Sequence, residues 1–174
     1  MRAMDQKKRQ DLLKEIGIEM LEKELSEFEW EQISNSGKLS EEFIREFQEK
    51  LHWDTLSIYQ KMSENFIREF INKIDWYFIS GYQQLSESFI REYSNKIDWY
   101  SISKTHTLSD GFIEEFKENI RWKIYFQENC INYNFIKKFI FRTDIKSTEQ
   151  FKTFHLSKTQ ISEIDKLLKL KHLF

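Results

Sequence analysis

The sequence predicts an all-α fold: a short α-solenoid of stacked two-helix repeats of 23 residues, with capping helices at its N- and C-terminal ends. Three observations lead to this fold class. The chain of 174 residues contains no proline and only four glycines, so the residues that interrupt helices are nearly absent. Apolar residues recur at helical rather than strand spacing. The five tryptophans follow one another at intervals of 23 residues, at Trp30, Trp53, Trp76, Trp99 and Trp122.

The first helix of each repeat, which we call helix A, is predicted from an apolar stripe. A Phe-Ile pair opens the stripe, and further apolar residues stand four and eight positions after the Phe, an arrangement that covers one face of an α-helix. The five Phe residues are Phe43, Phe66, Phe89, Phe112 and Phe135. Three positions before them stand the residues Ser40, Ser63, Ser86, Ser109 and Asn132. Such side chains cap helix N-termini, so helix A is predicted to begin there and to run for about three turns.

The second helix, helix B, is predicted to be shorter and to carry the tryptophan. Asp75 and Asp98 stand directly before Trp76 and Trp99, where a carboxylate can cap a new helix. Two helices this short cannot bury their aromatic side chains alone, so each repeat must stack on its neighbours. Trp53, Trp76 and Trp99 are therefore predicted to be mostly buried at successive interfaces between repeats.

Three segments are predicted along the chain. Residues 1–38 form an N-terminal capping helix and a degenerate first repeat, residues 39–142 the repeat array, and residues 143–174 the C-terminal capping helices. Ser157 and Gln160 have the spacing of a capping box ahead of the last helix. The side chains predicted to face the array are Leu12, Leu13, Ile16, Met20 and Leu21 at the N-terminal end, and Ile161, Ile164, Leu167 and Leu168 at the C-terminal end.

The unit "LSESFIREYSNKIDWYSIS" resembles the short Phe-Ile-Arg-Glu-Phe and Asp-Trp repeats that recur in uncharacterised proteins of bacteriophages and giant DNA viruses. The resemblance covers Leu39 to Arg142. It implies a viral protein that acts in the cytoplasm of a host cell, and it implies no reaction. The sequence agrees with that expectation, because the single cysteine, Cys130, cannot form an internal disulfide and no apolar run approaches the ~20 residues that span a bilayer.

No motif for catalysis, metal binding or cofactor binding stands out in the sequence. The four histidines occupy unrelated positions in the repeat, Cys130 has no partner histidine at a recognisable spacing, and the glycines do not form a phosphate-binding loop. We therefore predict a protein that is not an enzyme and that has no catalytic residues, metal or cofactor.

Charged residues are distributed unevenly along the chain. Residues 1–116 contain 15 Lys and Arg against 23 Asp and Glu, whereas residues 117–174 contain 12 against 6. An acidic surface repels the phosphate backbone of nucleic acids and attracts basic protein surfaces. The leading hypothesis is therefore a protein–protein interaction protein that docks on a basic surface of a host protein or nucleoprotein. Its most specific form, which rests on the viral resemblance, is a phage-encoded, anti-CRISPR-like inhibitor of a host defence nucleoprotein.

Three sets of residues are candidates for binding such a partner. The acidic set is Glu22, Glu27, Glu31, Glu42 and Glu49. The aromatic set is Tyr77, Phe78 and Tyr100, at positions where the repeats differ from one another and packing does not dictate the residue. The third set is a column of arginines, Arg45, Arg68 and Arg91, beside a column of glutamates.

Two interpretations of the arginine column stay open. In the first, it belongs to a solvated surface held by local pairs four residues apart, namely Glu46 with Lys50, Glu69 with Lys73 and Glu92 with Lys96. Replacing Arg68 with Ala would then change stability little. In the second, the column presents guanidinium groups to carboxylates or phosphates of a partner.

An alternative function is nucleic-acid binding through the basic C-terminal part. The residues that would carry it are Lys137, Lys138, Arg142, Lys146 and Lys152. Binding that weakens steeply with salt would be typical of this alternative.

Overall fold

In a computed structural model, which describes residues 6–19, 22–129, 131–142 and 156–171, the protein has an all-α fold, and no β-strand occurs among these residues. The helices are α1 (Gln6–Glu15), α2 (Glu27–Ser34), α3 (Glu41–Phe47), α4 (Trp53–Tyr59), α5 (Glu64–Glu69), α6 (Trp76–Tyr82), α7 (Glu87–Glu92), α8 (Trp99–Thr105), α9 (Asp110–Glu115), α10 (Trp122–Glu128), α11 (Tyr133–Phe139) and α12 (Lys158–Lys171). Two short 3-10 helices span Glu22–Glu24 and Ile140–Arg142. From α3 to α11 the odd-numbered helices are helix A and the even-numbered ones helix B, which confirms the predicted α-solenoid of two-helix repeats.

The chain divides into two compact units, Met1–Phe89 and Ile90–Phe174. In the first unit, helix B packs on helix B from one repeat to the next, α2 against α4 and α4 against α6. In the second unit α8 packs against α10, and α12 lies on α11 and the 3-10 helix that follows it. None of the described helices is long and apolar enough to span a bilayer.

Helix A begins where the sequence predicts and ends earlier. The backbone N–H of Phe66 donates to Ser63 Oγ at 3.2 Å, and the side chains of Ser40, Ser109 and Asn132 cap their helices in the same way. The helices then end after six or seven residues instead of about three turns. The reason is that Phe70, at the C-terminus of α5, has φ −110° and ψ 29°, outside the α-helical region. The chain turns there, which returns Ile74 to the core.

The apolar stripe of helix A forms the core. The side chains of Phe66, Phe89, Ile67 and Ile90 have no exposed surface. The residues at the positions four and eight after the first Phe are mostly buried as well, for example Phe47 and Leu51 in the first full repeat. Because each Phe belongs to a different repeat, the core is a continuous column inside each unit.

The tryptophans lie between successive repeats, but they are not equally buried. Trp99 is 8% exposed, whereas Trp53 and Trp76 are half-buried, which corrects the expectation that all three are mostly buried. The indole of Trp53 packs on Phe70 of the next helix A, with ring centroids 4.9 Å apart. Lys73 Nζ lies 5.8 Å from the centroid of the same ring, and a charged cover of this kind leaves part of the indole in contact with water.

The two ends of the chain confirm part of the predicted caps. Leu12 and Leu13 of α1 are buried, while Met20 and Leu21 lie outside the described residues. The capping box of α12 is present, with Ser157 N–H donating to Gln160 Oε1 at 2.8 Å and Gln160 N–H to Ser157 Oγ at 3.2 Å. Three residues predicted to face the array are less buried than expected: Ile16 and Leu167 are half-buried, and Ile161 is 40% exposed. Ile161 stands in the first turn of α12, ahead of the buried Ile164 and Leu168.

Candidate protein-binding surface

Two members of the arginine column, Arg45 and Arg91, link neighbouring repeats, although their side chains stay exposed. Arg45 Nε donates to both carboxylate oxygens of Glu69 in the next repeat, at 2.8 and 3.1 Å, and Arg91 binds Glu115 in the same manner. The Arg45 guanidinium also lies 4.9 Å from the centre of the Phe66 ring. This surface of helix A is therefore largely neutralised by the protein's own side chains.

Two of the three local ion pairs predicted along helix A are replaced by pairs with residues farther away in the chain. Glu69, expected to pair with Lys73, accepts hydrogen bonds from Arg45, and Lys73 Nζ lies 2.5 Å from Glu49 of the preceding repeat. Glu46, expected to pair with Lys50, accepts a bond from Arg9 at 2.8 Å. The pattern of residues four apart missed these pairs because equivalent positions of stacked repeats are also close in space.

Arg9 joins α1 to the rest of the first unit. Its guanidinium donates to both oxygens of Glu22, at 2.8 and 2.6 Å, and lies 4.8 Å from the centre of the Phe47 ring. Glu22 was predicted to bind a partner, but its carboxylate is already held in this partly buried network. Arg9 lies outside the repeats, so no sequence periodicity could identify it.

Buried glutamines hold helix B to the neighbouring repeat, a role that the sequence analysis missed. Gln83 is 6% exposed; its Oε1 accepts from Met62 N–H at 3.1 Å, and its Nε2 donates to the carbonyls of Ser57 and Gln60 at 2.9 and 2.8 Å. Gln60, 23 residues earlier, makes the equivalent bonds with Leu39 and Ser34. The two glutamines share one position in the repeat, and this recurrence in the sequence could have identified them.

Fully buried serines let adjacent B helices approach closely. Ser34, Ser57, Ser80 and Ser103 have no exposed surface, and each hydroxyl donates to the carbonyl of the tryptophan one turn earlier, at 2.6–2.8 Å. The Ile-Ser or Leu-Ser pair that recurs after the tryptophans was the sequence signal. These serines and glutamines consequently belong to the interior and are not available to a partner.

The outward side of helix B in the first unit differs from this interior in carrying acidic and aromatic residues that face solvent. It comprises the first, second, fifth and sixth positions after the tryptophan in α4 and α6 and the equivalent positions in α2 and just after its end, and none of these is Lys or Arg. We call the following residues on it the acidic-aromatic face: Glu31, Asp54, Tyr59, Tyr77, Phe78 and Tyr82.

The aromatic part of this face is centred on α6. Tyr77 and Tyr82 are 56% and 60% exposed, and Phe78 between them is half-buried. The ring centroid of Phe78 lies 5.4 Å from that of Tyr77 and 6.2 Å from that of Tyr82. Tyr59 of α4, 53% exposed, holds the position in the repeat that Tyr82 holds in α6. Tyr77 and Phe78 were predicted from the sequence as exposed aromatic residues. Tyr59 and Tyr82 were not, although the sequence shows that they are 23 residues apart and so share one position in the repeat.

The acidic part consists of exposed carboxylates without an ion pair. Within the described part of the chain, neither Glu31 nor Asp54 has a basic partner. The other acidic candidates differ, since Glu42 pairs with Lys8 and Glu49 with Lys73.

Glu27 and Glu41 add to the electrostatics of the first unit. Glu27 precedes the acidic-aromatic face and is 85% exposed, with an oxygen 3.2 Å from His52 Nε2. Burial works to raise the pKa of Glu41, but hydrogen bonds from the side chain and backbone of Ser63, together with nearby Arg45, outweigh it. The pKa of Glu41 therefore lies below its ordinary value, and its carboxylate stays ionised near neutral pH.

The second unit carries the remaining candidates. Tyr100 on α8 is 45% exposed. Lys137 Nζ lies 2.8 Å from Glu163 of α12, and Lys138 Nζ lies 2.9 Å from Asp110 of α9.

The basic residues proposed for nucleic-acid binding are thus only partly placed. Lys146 and Lys152 lie outside the described residues, as does the side chain of Arg142. Within residues that the structure describes, no group of three or more His, Cys, Asp and Glu side chains could hold a metal ion.

The fold and this surface define a helical-repeat protein with an exposed acidic and aromatic side. The chain matched no family model, no curated protein and no solved structure.

Proposed function

We propose that this chain is a non-enzymatic protein–protein interaction protein that docks on a basic surface of a larger protein or nucleoprotein. The observation that supports it is the acidic-aromatic face, because exposed tyrosines clustered beside unpaired carboxylates are typical of surfaces that anchor a protein partner. The surface of helix A is a weaker candidate for the binding site, since its charged side chains are already paired with one another. This also favours the acidic-aromatic face of helix B.

In its more specific form, the proposal is that the protein is encoded by a bacteriophage and acts in the host cytoplasm as an anti-CRISPR-like inhibitor of a defence nucleoprotein. The repeat resemblance supports the viral part. The charge of the first unit supports the mode of action, because carboxylates can occupy a basic groove that otherwise receives nucleic-acid phosphates.

Affinity capture tests the proposal. The tagged protein is incubated with bacterial lysate, with and without nuclease, beside the double variant Tyr77→Ala/Tyr82→Ala and the control variant Phe141→Ala. Phe141 is 47% exposed and lies in the second unit, so its loss removes an exposed aromatic ring without touching the proposed contact. We expect the parent and Phe141→Ala to retain the same host protein after nuclease treatment, and the double variant to lose it.

Nucleic-acid binding is the outcome that would replace this proposal. Retention that depends on nucleic acid and is lost in Lys137→Glu/Lys138→Glu, but not in Tyr77→Ala/Tyr82→Ala, would favour the basic C-terminal part. Addition to a purified CRISPR nucleoprotein, followed by measurement of its DNA binding, tests the anti-CRISPR form separately.

A further inference from the structure

The first unit shows how this protein binds guanidinium groups internally. Three arginines each lie over a phenylalanine ring, Arg9 over Phe47 at 4.8 Å, Arg45 over Phe66 at 4.9 Å and Arg68 over Phe89 at 4.8 Å. In all three cases a carboxylate lies beside the guanidinium: Glu22 beside Arg9, Glu69 beside Arg45 and Glu64 beside Arg68. An aromatic ring combined with a carboxylate is therefore the recurrent environment for arginine in this unit.

The acidic-aromatic face carries the same two kinds of group without an arginine of its own. Tyr77 and Asp54 occupy the same repeat position in adjacent, packed helices, directly after Trp76 and Trp53. Gly81 stands on the outward side of α6 between Phe78 and Tyr82, and it has no side chain to cover the rings. Glycine inside a helix costs roughly 1 kcal/mol relative to alanine, so Gly81 does not stabilise α6. Because Gly81 has no side chain, the rings of Phe78 and Tyr82 stay accessible.

From these contacts we infer that the acidic-aromatic face binds an arginine-bearing segment of a protein partner. A guanidinium lies on an exposed ring of α6, at Tyr77, Phe78 or Tyr82, and Asp54 of the packed helix α4 supplies the opposite charge. Glu31, one helix further along on α2, adds to the negative potential of the face. Arginine is preferred to lysine because its planar, weakly hydrated group stacks on aromatic rings while it donates to carboxylates. This inference rests on the proposed function and names the chemistry of its partner.

Titration of the purified full-length chain with labelled peptides tests the inference. The probes are a short Gly/Ser peptide that carries arginines and two counterparts in which lysine or citrulline replaces each arginine. Citrulline keeps the planar shape and removes the charge. At about 0.15 M salt we expect the arginine peptide to bind about threefold to thirtyfold more tightly than the citrulline peptide, the range that one or two cation–π contacts give, with the lysine peptide in between. The citrulline peptide should bind more weakly than both.

Matched variants locate the binding. Tyr82→Leu keeps apolar surface and removes the aromatic ring, and Asp54→Asn removes one charge; each should weaken the arginine peptide about threefold or more. The controls are Phe141→Ala, an exposed aromatic residue of the second unit, and Glu118→Gln, an exposed acidic residue of the second unit, and both should bind like the parent. Thermal unfolding of every variant checks that the fold is retained, and Tyr77→Leu provides a second removal of an aromatic ring should Tyr82→Leu not fold.

Several results would overturn the inference. Equal affinity for the arginine and lysine peptides, or binding that survives both Tyr82→Leu and Asp54→Asn, would show that general charge attraction accounts for the contact. A dimer in sedimentation experiments that disappears in Tyr77→Ala/Tyr82→Ala would make a second copy of the chain the occupant. Binding of a single-stranded oligonucleotide that is lost in the same variant would make nucleic acid the occupant.

The two proposals can fail separately. A captured host protein that depends on Tyr77 and Tyr82 but is not displaced by the arginine peptide would leave the proposed function standing and overturn the arginine inference. Tight, arginine-selective peptide binding with no protein retained from lysate would support the arginine inference and contradict the proposed function.

Discussion

At the scale of single residues, stability depends on side chains that link two repeats. Trp76 covers Phe89 with ring centroids 6.3 Å apart, and Arg68 covers the same ring. Phe89 itself has no exposed surface, so both covers are needed to exclude water from it. A residue that is partly exposed can consequently contribute as much as a core residue when the surface beneath it is apolar.

Replacing Trp76 with alanine is expected to cost about 3 kcal/mol of unfolding free energy, the lower end of the range for aromatic truncations, because part of the indole is already exposed. Urea unfolding measures the cost. The neighbouring Tyr77→Ala is the control, since Tyr77 is mostly exposed and its loss should change stability by less than about 0.5 kcal/mol. Equal effects of the two substitutions would contradict the assigned role of Trp76.

Replacing Arg68 with alanine is expected to cost about 1 kcal/mol, because a cation–π contact and the cover of Phe89 are lost together. This exceeds the small effect that an arginine on a solvated surface would have. Lys61→Ala removes an exposed positive charge elsewhere in the unit and should leave the unfolding midpoint nearly unchanged. A midpoint for Arg68→Ala that matches Lys61→Ala would support the solvated-surface interpretation instead.

At the scale of helices, the sequence predicts those features that depend on residues close together in the chain. The caps of helix A and its apolar stripe involve residues within eight positions of one another, and the structure confirms them. The bonds of Gln83 reach residues 21 to 26 positions away, and Arg45 reaches Glu69 24 positions away. Such partners become neighbours only after the repeats stack, so propensity and spacing along one helix could not identify them. The exposed Tyr59 and Tyr82 were missed for another reason: they share one position in the repeat, whereas the aromatic candidates were chosen at positions where the repeats differ.

The buried amide of Gln83 gives a prediction at this scale. Gln83→Leu should cost about 2–4 kcal/mol, since it leaves Met62 N–H and the carbonyls of Ser57 and Gln60 without their partner in the interior. Gln84→Leu is the matched control, because Gln84 is the adjacent residue and is exposed. Thermal unfolding of both variants distinguishes the loss of a specific buried contact from a general effect of leucine. Similar unfolding midpoints for the two variants would show that the hydrogen bonds of Gln83 do not hold the repeats together.

The attachment of α12 to α11 should depend on pH. Hydrogen bonds from Lys137 and then Tyr133 hold the pKa of Glu163 below its ordinary value of 4.5. A lowered folded-state pKa means that Glu163 stabilises the fold above pH 4.5 and that this contribution is lost as pH falls through the lower folded-state value. Glu163→Gln should therefore be less stable than the parent at neutral pH and should lose less stability on acidification. Parallel pH profiles of the two proteins would exclude this role.

At the scale of the whole molecule, the charge distribution and the pairing of individual charges lead to different expectations. The sequence predicts five acidic residues of the first unit as candidates, whereas the structure commits three of them, Glu22, Glu42 and Glu49, to basic partners within that unit. Glu27 and Glu31 on α2 keep the greatest freedom to attract a partner, since they are exposed and lie at or beside the acidic-aromatic face. Reversing Glu22 would set a lysine against Arg9, so a test of binding should leave it unchanged.

Reversal of Glu27 and Glu31 to lysine is expected to slow association with the partner while the fold is retained. The effect should be largest at low salt, because the Debye length falls to about 8 Å at physiological ionic strength and long-range attraction is then screened. Association rates measured over a range of salt concentrations provide the test. Lys137→Glu/Lys138→Glu is the contrast: if nucleic acid is the ligand, this pair should weaken binding and the acidic reversals should strengthen it. If Glu27→Lys/Glu31→Lys associates as fast as the parent at every salt concentration, long-range attraction by α2 plays no part, and the contact must depend on the rings of Tyr59, Tyr77 and Tyr82.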